Sequence, residues 1–156
     1  MSFNFHIEGN QELKALLEQG ITKPAEKSVL NISSLIRNEA KKNLQASVYS
    51  RKVPWKRTGD LKRSVTSTKL NNLAYQVEVG KYYGIFIEKG TKAHTIYPKS
   101  GRFLRWTSGG VKRFARKVNH PGTLAYPFFA PAIEKATNQA QSIIQKNIQD
   151  FLNKPN

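Results

Sequence analysis

Few side chains in this sequence are of types that catalyse reactions or bind metals. The histidines His6, His94 and His120 are widely separated, and none has a second histidine or an acid three or four residues away. That spacing places two metal ligands on one helix face, so its absence argues against a metal site. There is no cysteine, which excludes thiol catalysis, disulfides and zinc sites built on cysteine.

Three acids, Asp60, Glu78 and Glu88, could converge to bind magnesium in a nuclease. The favoured interpretation is that they are surface acids that balance the 26 Lys and Arg residues. The sequence has no glycine-rich phosphate loop, nucleophile elbow or His-Glu-x-x-His motif, and the pair Gly109-Gly110 lacks the lysine of a phosphate loop. We therefore predict no catalytic residues and no cofactor, and we expect the protein not to be an enzyme.

The stronger chemical signal is a basic segment, residues 92–117, that contains no acid. Aromatic residues are interleaved with its cations, which is typical both of stacking on single-stranded nucleic acid and of cross-strand packing in a β-hairpin. No recognition helix or finger motif is present, so the cations predict contact with phosphates rather than with bases. The candidate binding residues are Lys92, Lys99, Arg102, Arg105, Lys112, Arg113, Arg116 and Lys117, and the aromatic residues among them are Tyr97, Phe103, Trp106 and Phe114.

The whole chain carries 26 basic and 10 acidic residues, a net charge of +16. Such a surplus favours a polyanionic partner, with nucleic acid first, an acidic protein second and a membrane surface third. A merely soluble basic surface is the alternative. No apolar run is long enough to cross a bilayer, and the N-terminus does not resemble a signal peptide, so we expect a soluble protein that is made in the cytoplasm.

Periodicity predicts the elements that must position these residues. Alternation over residues 3–7 predicts a strand, and a helix is expected over residues 10–20. A long helix should begin at Lys23-Pro24 and end near Ser47, and a loop that contains Trp55 should follow. Residues 63–68 and 74–79 predict a hairpin with one core face.

The stretch 82–91 is predicted to form a boundary between the core and the basic segment. It should bury Ile85 and Phe86 beneath the sheet before Gly90-Thr91 turns the chain away. Short strands are expected near residues 95–97, 103–106 and 111–114, followed by a turn at His120-Pro121-Gly122. A long amphipathic helix should begin near Pro127 and continue to Leu152, with Phe151 and Leu152 at the end of its buried apolar stripe. Residues 1–153 should form a single domain, with 154–156 as a frayed tail.

Four motifs, taken in order after a first strand and a helix entry, resemble the neck or tail-completion proteins of long-tailed bacteriophages and prophages. These are small proteins that join the head to the tail. The motifs are Arg57-Thr58-Gly59-Asp60-Leu61-Lys62-Arg63-Ser64, Tyr83 to Glu88-Lys89-Gly90-Thr91, His120-Pro121-Gly122 and Tyr126-Pro127-Phe128-Phe129-Ala130-Pro131-Ala132.

The resemblance implies an α+β fold, in which a small, mostly antiparallel sheet packs against a long N-terminal and a long C-terminal helix. It also implies a virion structural protein without catalytic residues, which forms a ring, six-fold or twelve-fold, between the connector and the tail proteins and around the DNA. The motif residues would be structural, with Thr58, Gly59 and Ser64 as turn and cap residues and with Pro127 and Pro131 fixing the entry to the last helix. The full set is Thr58, Gly59, Leu61, Ser64, Glu88, Gly90, Thr91, Pro121, Gly122, Pro127, Phe128 and Pro131.

Overall fold

Two long helices and a three-stranded antiparallel sheet make up most of the fold, so the α+β class and its helix and sheet arrangement are confirmed. The computed structural model describes residues 3–7, 11, 21–45 and 58–153, and for 3–7 it describes the backbone only. The elements are β1 Phe3–Ile7, α1 Thr22–Asn43, α2 Asp60–Arg63, β2 Val65–Asn71, β3 Ala74–Val79, α3 Gly84–Lys89, β4 His94–Ile96, β5 Leu104–Ser108, β6 Val111–Ala115, β7 Val118–His120 and α4 Ala130–Leu152.

The sheet has the strand order β1-β3-β2, with β3 in the centre and both pairings antiparallel. Val65 lies opposite Val79 and Ser67 lies opposite Val77, so these four residues share the face that meets the helices. The alternate residues of β3, including Glu78, share the other face. The predicted hairpin with a single core face is therefore confirmed, but its first strand runs from Val65 to Asn71 rather than over residues 63–68, because Arg63 ends α2. The side chain of Asn71 closes the turn by accepting a hydrogen bond from the Leu73 N–H at 2.8 Å.

Helix α1 packs against β2, β3 and α4. The two long helices are antiparallel, since Asn43 at the end of α1 donates its side-chain amide to the carbonyl of Phe128 just before α4, at 2.9 Å. Burial of one apolar stripe from each helix stabilises the pair. The core residues in contact are Ile36, Ala40, Leu61, Val65, Val77, Val79, Phe128, Phe129, Ala132 and Ala136.

A buried polar cluster joins the other ends of the two helices. Ser28 donates to the carbonyl of Pro24 at 2.7 Å, and Asn147 donates to Ser28 at 3.1 Å. Asn31 in turn donates to the side-chain oxygen of Asn147 at 3.3 Å. The two bonds of Asn147 cross between the helices and require one alignment of them, so they fix how far α4 is displaced along α1. The apolar periodicity of α4 gave no indication that Asn147 is buried.

Both long helices are shorter than predicted. Helix α1 ends at Asn43 rather than near Ser47, because the Gln45 N–H bonds to the carbonyl of Lys42, three residues back, which tightens and closes the last turn. Helix α4 begins at Ala130 rather than near Pro127, because the preceding N–H groups are bound by a distant side chain, described below. The loop over 48–57 lies outside the described residues, as does the helix over 10–20 apart from residue 11.

Two predictions about burial are wrong. Phe86 is 50% exposed, since α3 turns Tyr83 and Ile87, four residues apart, towards the core and leaves Ile85 only half-buried. At the end of α4, Phe151 and Leu152 are exposed.

Candidate nucleic-acid and partner interface

A pair of threonines closes the base of the basic segment. The N–H of Thr91 donates to the carbonyl of Thr123 at 2.9 Å, and the reverse bond is 3.0 Å long. The two side-chain oxygens are also 3.0 Å apart. The chain between these residues therefore leaves the rest of the fold and returns at one point. We call residues 92–122 the arm and residues 90, 91, 122 and 123 the neck, which therefore shares residue 122 with the arm, and we call the other described residues the body.

Two glycines allow the strands of the neck to approach each other. Gly90 has φ +69° and Gly122 has φ +87°. A Cβ on Gly90 would lie 2.4 Å from the carbonyl oxygen of Thr123, and one on Gly122 would lie 2.3 Å from that of Thr91. No side chain fits at those distances, and the backbone angles favour glycine as well. The same dipeptide, Gly-Thr, occurs at 90–91 and at 122–123, and this repetition is the sequence signal that the two distant positions are related.

Glu88, expected to be a surface acid, instead caps α4. Its carboxylate accepts hydrogen bonds from the N–H groups of Phe128, Phe129 and Ala130 at 2.8, 2.9 and 2.9 Å. Those groups have no partners within the helix, and a negative charge there also interacts favourably with the helix dipole. Pro131, in the first turn, has no N–H and requires no acceptor. The residues directly before α4 include no Ser, Thr, Asp or Asn, the usual N-cap residues, and this absence is the sequence signal that the cap comes from elsewhere in the chain.

The motif that begins at Thr58 turns the chain into the sheet. Gly59 has φ +74° and precedes the single turn of α2. The Asp60 carboxylate accepts hydrogen bonds from the hydroxyl of Thr58 and the guanidinium of Arg63. These two donors hold the pKa of Asp60 below its ordinary value.

The second half of this motif joins α2 to the core and to β3. Leu61 is buried in the core cluster. The hydroxyl of Ser64 donates to the carbonyl of Leu61 at 2.8 Å, and the Ser64 carbonyl accepts the N–H of Gly80 at 3.0 Å. The motif residues therefore make contacts within the fold that define a turn and the start of a strand.

The three acids considered as magnesium ligands do not converge. Asp60 is bonded to Thr58 and Arg63, and Glu88 caps α4. Glu78 lies on the open face of the sheet, where it accepts the side-chain amide of Gln76 at 3.2 Å. Among the residues that the structure describes, no group of three or more His, Asp or Glu residues could hold a metal ion.

The arm contains no buried residue. Next to the neck, β4 pairs with β7, a strand that the periodicity did not predict. Because the arm includes β7 and the two residues after it, the arm is five residues longer than the basic segment. Here His94 lies opposite His120, with ring centroids 5.1 Å apart. Nδ1 of His94 donates to the carbonyl of Lys92 at 2.9 Å, and the N–H of Gly122 donates to Nδ1 of His120 at 3.0 Å. The turn predicted at His120-Pro121-Gly122 is not formed: His120 ends β7, and the chain continues without a turn into the neck at Gly122.

The outer part of the arm is a hairpin of β5 and β6. Its two-residue turn is Gly109-Gly110, with φ +59° and +80°, values that only a mirror-image turn combines and that match the twist of the strands. Trp106 lies opposite Arg113, and Arg105 lies opposite Phe114. Cross-strand neighbours are therefore an aromatic ring and a cation, and not two aromatic rings.

Register sorts the hairpin side chains onto two unlike faces, because opposite residues share a face and successive residues alternate. The apolar face carries Leu104, Trp106, Ser108, Val111, Arg113 and Ala115. The basic face carries Arg105, Thr107, Lys112 and Phe114. One step further along the register, the Arg116 guanidinium carbon lies 5.9 Å from the centroid of the Phe103 ring, which adds this pair to the basic face.

All eight candidate cations are exposed. Arg105, Lys112 and Arg116 lie on the basic face of the hairpin, and Arg113 lies on the apolar face. The others lie in the connections: Lys92 beside the neck, Lys99 and Arg102 between β4 and β5, and Lys117 between β6 and β7. Within the described part of the chain, none of the eight is paired with an acid.

Comparison of the chain with protein-family models, with curated proteins and with solved structures gives no match. Across the described residues, every helix is too short or too polar to cross a lipid bilayer.

Proposed function

We propose that this chain is a structural protein of the head–tail interface of a long-tailed bacteriophage or prophage. As a subunit of a neck or tail-completion ring, it would join the connector to the tail and surround the DNA channel. The observation that carries the proposal is the arm, which leaves the body through a narrow neck, has no buried residue and carries eight of the chain's 26 basic residues.

An arm without an interior does not gain enough from its own contacts to offset the entropy that its ordering costs. It also exposes large apolar side chains, among them Phe114 at 60% and Trp106 at 40%. Exposed apolar surface next to unpaired charge is typical of a surface that a partner covers. In a ring, six-fold or twelve-fold, each arm would meet a neighbouring subunit, the adjacent connector or tail protein, or the DNA in the channel.

The charge of the arm suits a channel through which DNA of any sequence must pass. Contacts with phosphates hold DNA without selecting bases, and they weaken as salt rises. The body has a different role in this proposal. Its buried core and its capped α4 give the ring a rigid subunit from which the arm projects.

A second candidate is a nucleic-acid-binding domain that is not part of a virion. The alternation of cations with exposed aromatic rings on the arm favours it, since single-strand binders combine these two features. It predicts tight binding of nucleic acid by the free protein with a steep salt dependence. A gel-shift series across salt concentrations that shows no binding would exclude it.

The direct test is electron microscopy, together with mass spectrometry, of particles produced from the genome that encodes this chain. We expect the chain in particles, as a ring between the connector and the tail tube. A protein that stays monomeric at high concentration and is absent from particles would contradict the proposal. A monomer in isolation would not, because such a ring can assemble on its neighbours alone.

The arm is tested by replacing Arg102, Arg105, Arg113 and Arg116 together with Ser. All four are exposed, so we expect the thermal unfolding temperature to be unchanged and particle assembly or DNA retention to fall. The matched control replaces four exposed lysines of the body with Ser, which removes the same charge and should leave assembly intact. A four-arginine variant that fails to fold would assign these side chains to the structure instead. The control lysines are Lys23, Lys27, Lys69 and Lys146.

A further inference from the structure

We infer that the basic face of the β5–β6 hairpin binds the phosphate backbone of double-stranded DNA without selecting its sequence. This inference rests on the proposed function for its biological setting and names the partner of one surface of the arm. The proposed function assigns binding to the whole basic segment, whereas this inference assigns it to one face of one hairpin.

The register of the β5–β6 hairpin places most of its cations on one face. Three of the hairpin's four cations, Arg105, Lys112 and Arg116, lie on one face, and they come from both strands or the residue just beyond them. The apolar face has the single cation Arg113. A phosphate backbone presents rows of negative charge, and a ribbon with cations from both strands on one side can meet such a row along its length.

The basic face carries an unbalanced positive charge. Arginine and phenylalanine occur in protein–protein interfaces as well, but the three cations of this face have no acid among them, and protein–DNA interfaces are much more positively charged than protein–protein interfaces. The opposite face, with Leu104, Trp106 and Val111, has the composition expected of a protein contact. The two faces therefore suit two different partners, and the basic face suits the polyanion.

The shape and the residue composition of the hairpin suit contact with DNA of any sequence. A two-stranded β-ribbon is narrow enough to enter the major groove of B-form DNA. The segment 99–118 contains no Asn or Gln, the side chains that read adenine, and no acid that would read cytosine; its arginines and lysines can contact guanine, but they bind phosphates of any sequence. At the tip, added Cβ atoms on Gly109 and Gly110 would meet nothing within 4 Å, so the turn projects into open space. The hairpin can approach DNA tip first and bind it through phosphates.

The test measures binding of the full chain to a labelled duplex of mixed sequence by fluorescence anisotropy, in a titration of salt. The test variant carries Arg105→Ser, Lys112→Ser and Arg116→Ser. The control carries Lys27→Ser, Lys69→Ser and Lys146→Ser, three exposed lysines of the body, and therefore has the same net charge. Each phosphate contact contributes about 0.9 to the slope of log K against log salt, so the test variant should lose about 2.7 of that slope.

We expect the test variant to bind at least about tenfold more weakly than the control at low salt. An equal loss in the two triple variants would overturn the inference, because binding would then depend on net charge alone. Polyglutamate that displaces the duplex as effectively as unlabelled DNA would also overturn it, and would point to an acidic protein as the partner. A duplex of another sequence that bound much more tightly would contradict binding without sequence selection.

Single substitutions provide a second measurement that does not depend on how the triple variant folds. Arg105→Ser and Arg113→Ser remove the same side chain from opposite faces of the same hairpin. The first should weaken binding more than the second, and equal effects would contradict the assignment to one face. Electron microscopy of particles tests the proposed function separately. A chain that is present in the ring but does not bind duplex DNA would overturn this inference alone.

Discussion

The body and the arm of this protein are stabilised in different ways. In the body, Val65, Val77 and Phe128 are fully buried, and the acid at the start of α4 is satisfied by three backbone groups. In the arm, no residue is buried, and order comes from strand hydrogen bonds and from the close approach of the two backbone segments at Gly90 and Gly122 of the neck. The difference separates a core that is stabilised by burial from an exposed surface that gains little from burial, and it is this second surface to which we assign a partner.

The largest expected effect on unfolding free energy comes from replacing a phenylalanine with alanine, and the same change is compared in the body and in the arm. Phe128→Ala in the body should lower the free energy of unfolding by about 3 to 5 kcal/mol, because it leaves a cavity among buried residues. Phe114→Ala in the arm should change it by less than about 0.5 kcal/mol, since its ring is exposed. Urea denaturation measures both, and equal losses would contradict the separation of body and arm.

The next effect concerns the neck. Gly122→Ala should favour opening of the neck by about 3 kcal/mol, because the new Cβ overlaps the carbonyl of Thr91 and the backbone angle is unfavourable for alanine. Gly101 has the same φ of +87° but open space around it, so Gly101→Ala carries the strain of the angle without the overlap. Hydrogen exchange of the Thr91 and Thr123 amides measures the opening. Equal exchange in the two variants would show that the close approach does not hold the neck.

The cap of α4 should have a smaller effect. Glu88→Gln keeps an oxygen acceptor but removes the charge and one of the two carboxylate oxygens, and we expect a loss of about 2 kcal/mol in unfolding free energy. The control is Glu134→Gln, an exposed acid on the same helix, which should change stability by less than about 0.5 kcal/mol. Thermal unfolding measures the stability of both variants. Equal stability of the two would show that Glu88 does not stabilise α4 and acts only as a surface acid.

The smallest expected effect is the pH dependence of one ion pair. Lys135 on α4 lies 2.9 Å from Glu39 on α1, and the hydrogen bond from Lys135 lowers the pKa of Glu39. Because the folded pKa is lowered, the stabilisation is complete above the unfolded value of about 4.3 and is lost as pH falls through the folded pKa. Glu39→Gln should remove this acid-dependent loss, which we expect to be below about 1 kcal/mol. Unfolding curves that keep the same pH dependence in the variant would assign it to other groups.

Local pattern was enough to predict much of the body. The alternation in β3 and the apolar stripe of α1 gave the hairpin and the buried helix face, since both depend on neighbouring residues. It was also enough to predict that a basic segment would leave the core after Gly90-Thr91.

The contacts that lie far apart in sequence could not be predicted in this way. Glu88 caps a helix that begins more than 40 residues later, and Asn147 is buried because it meets Ser28 across the two helices. The pairing of β7 with β4 also depends on the neck, which brings Thr123 to Thr91. In each case the deciding interaction is set by tertiary structure, which a local periodicity does not contain.

Hydrogen exchange of the chain, first free and then assembled in particles, measures the order of the arm without and with its proposed partners. In the free chain, we expect amides of the arm to exchange faster than those of α1, β3 and α4, because no core covers them. On assembly, protection should increase most within residues 92–122. An arm that is as protected as the body in the free chain, or whose exchange does not change on assembly, would contradict the account.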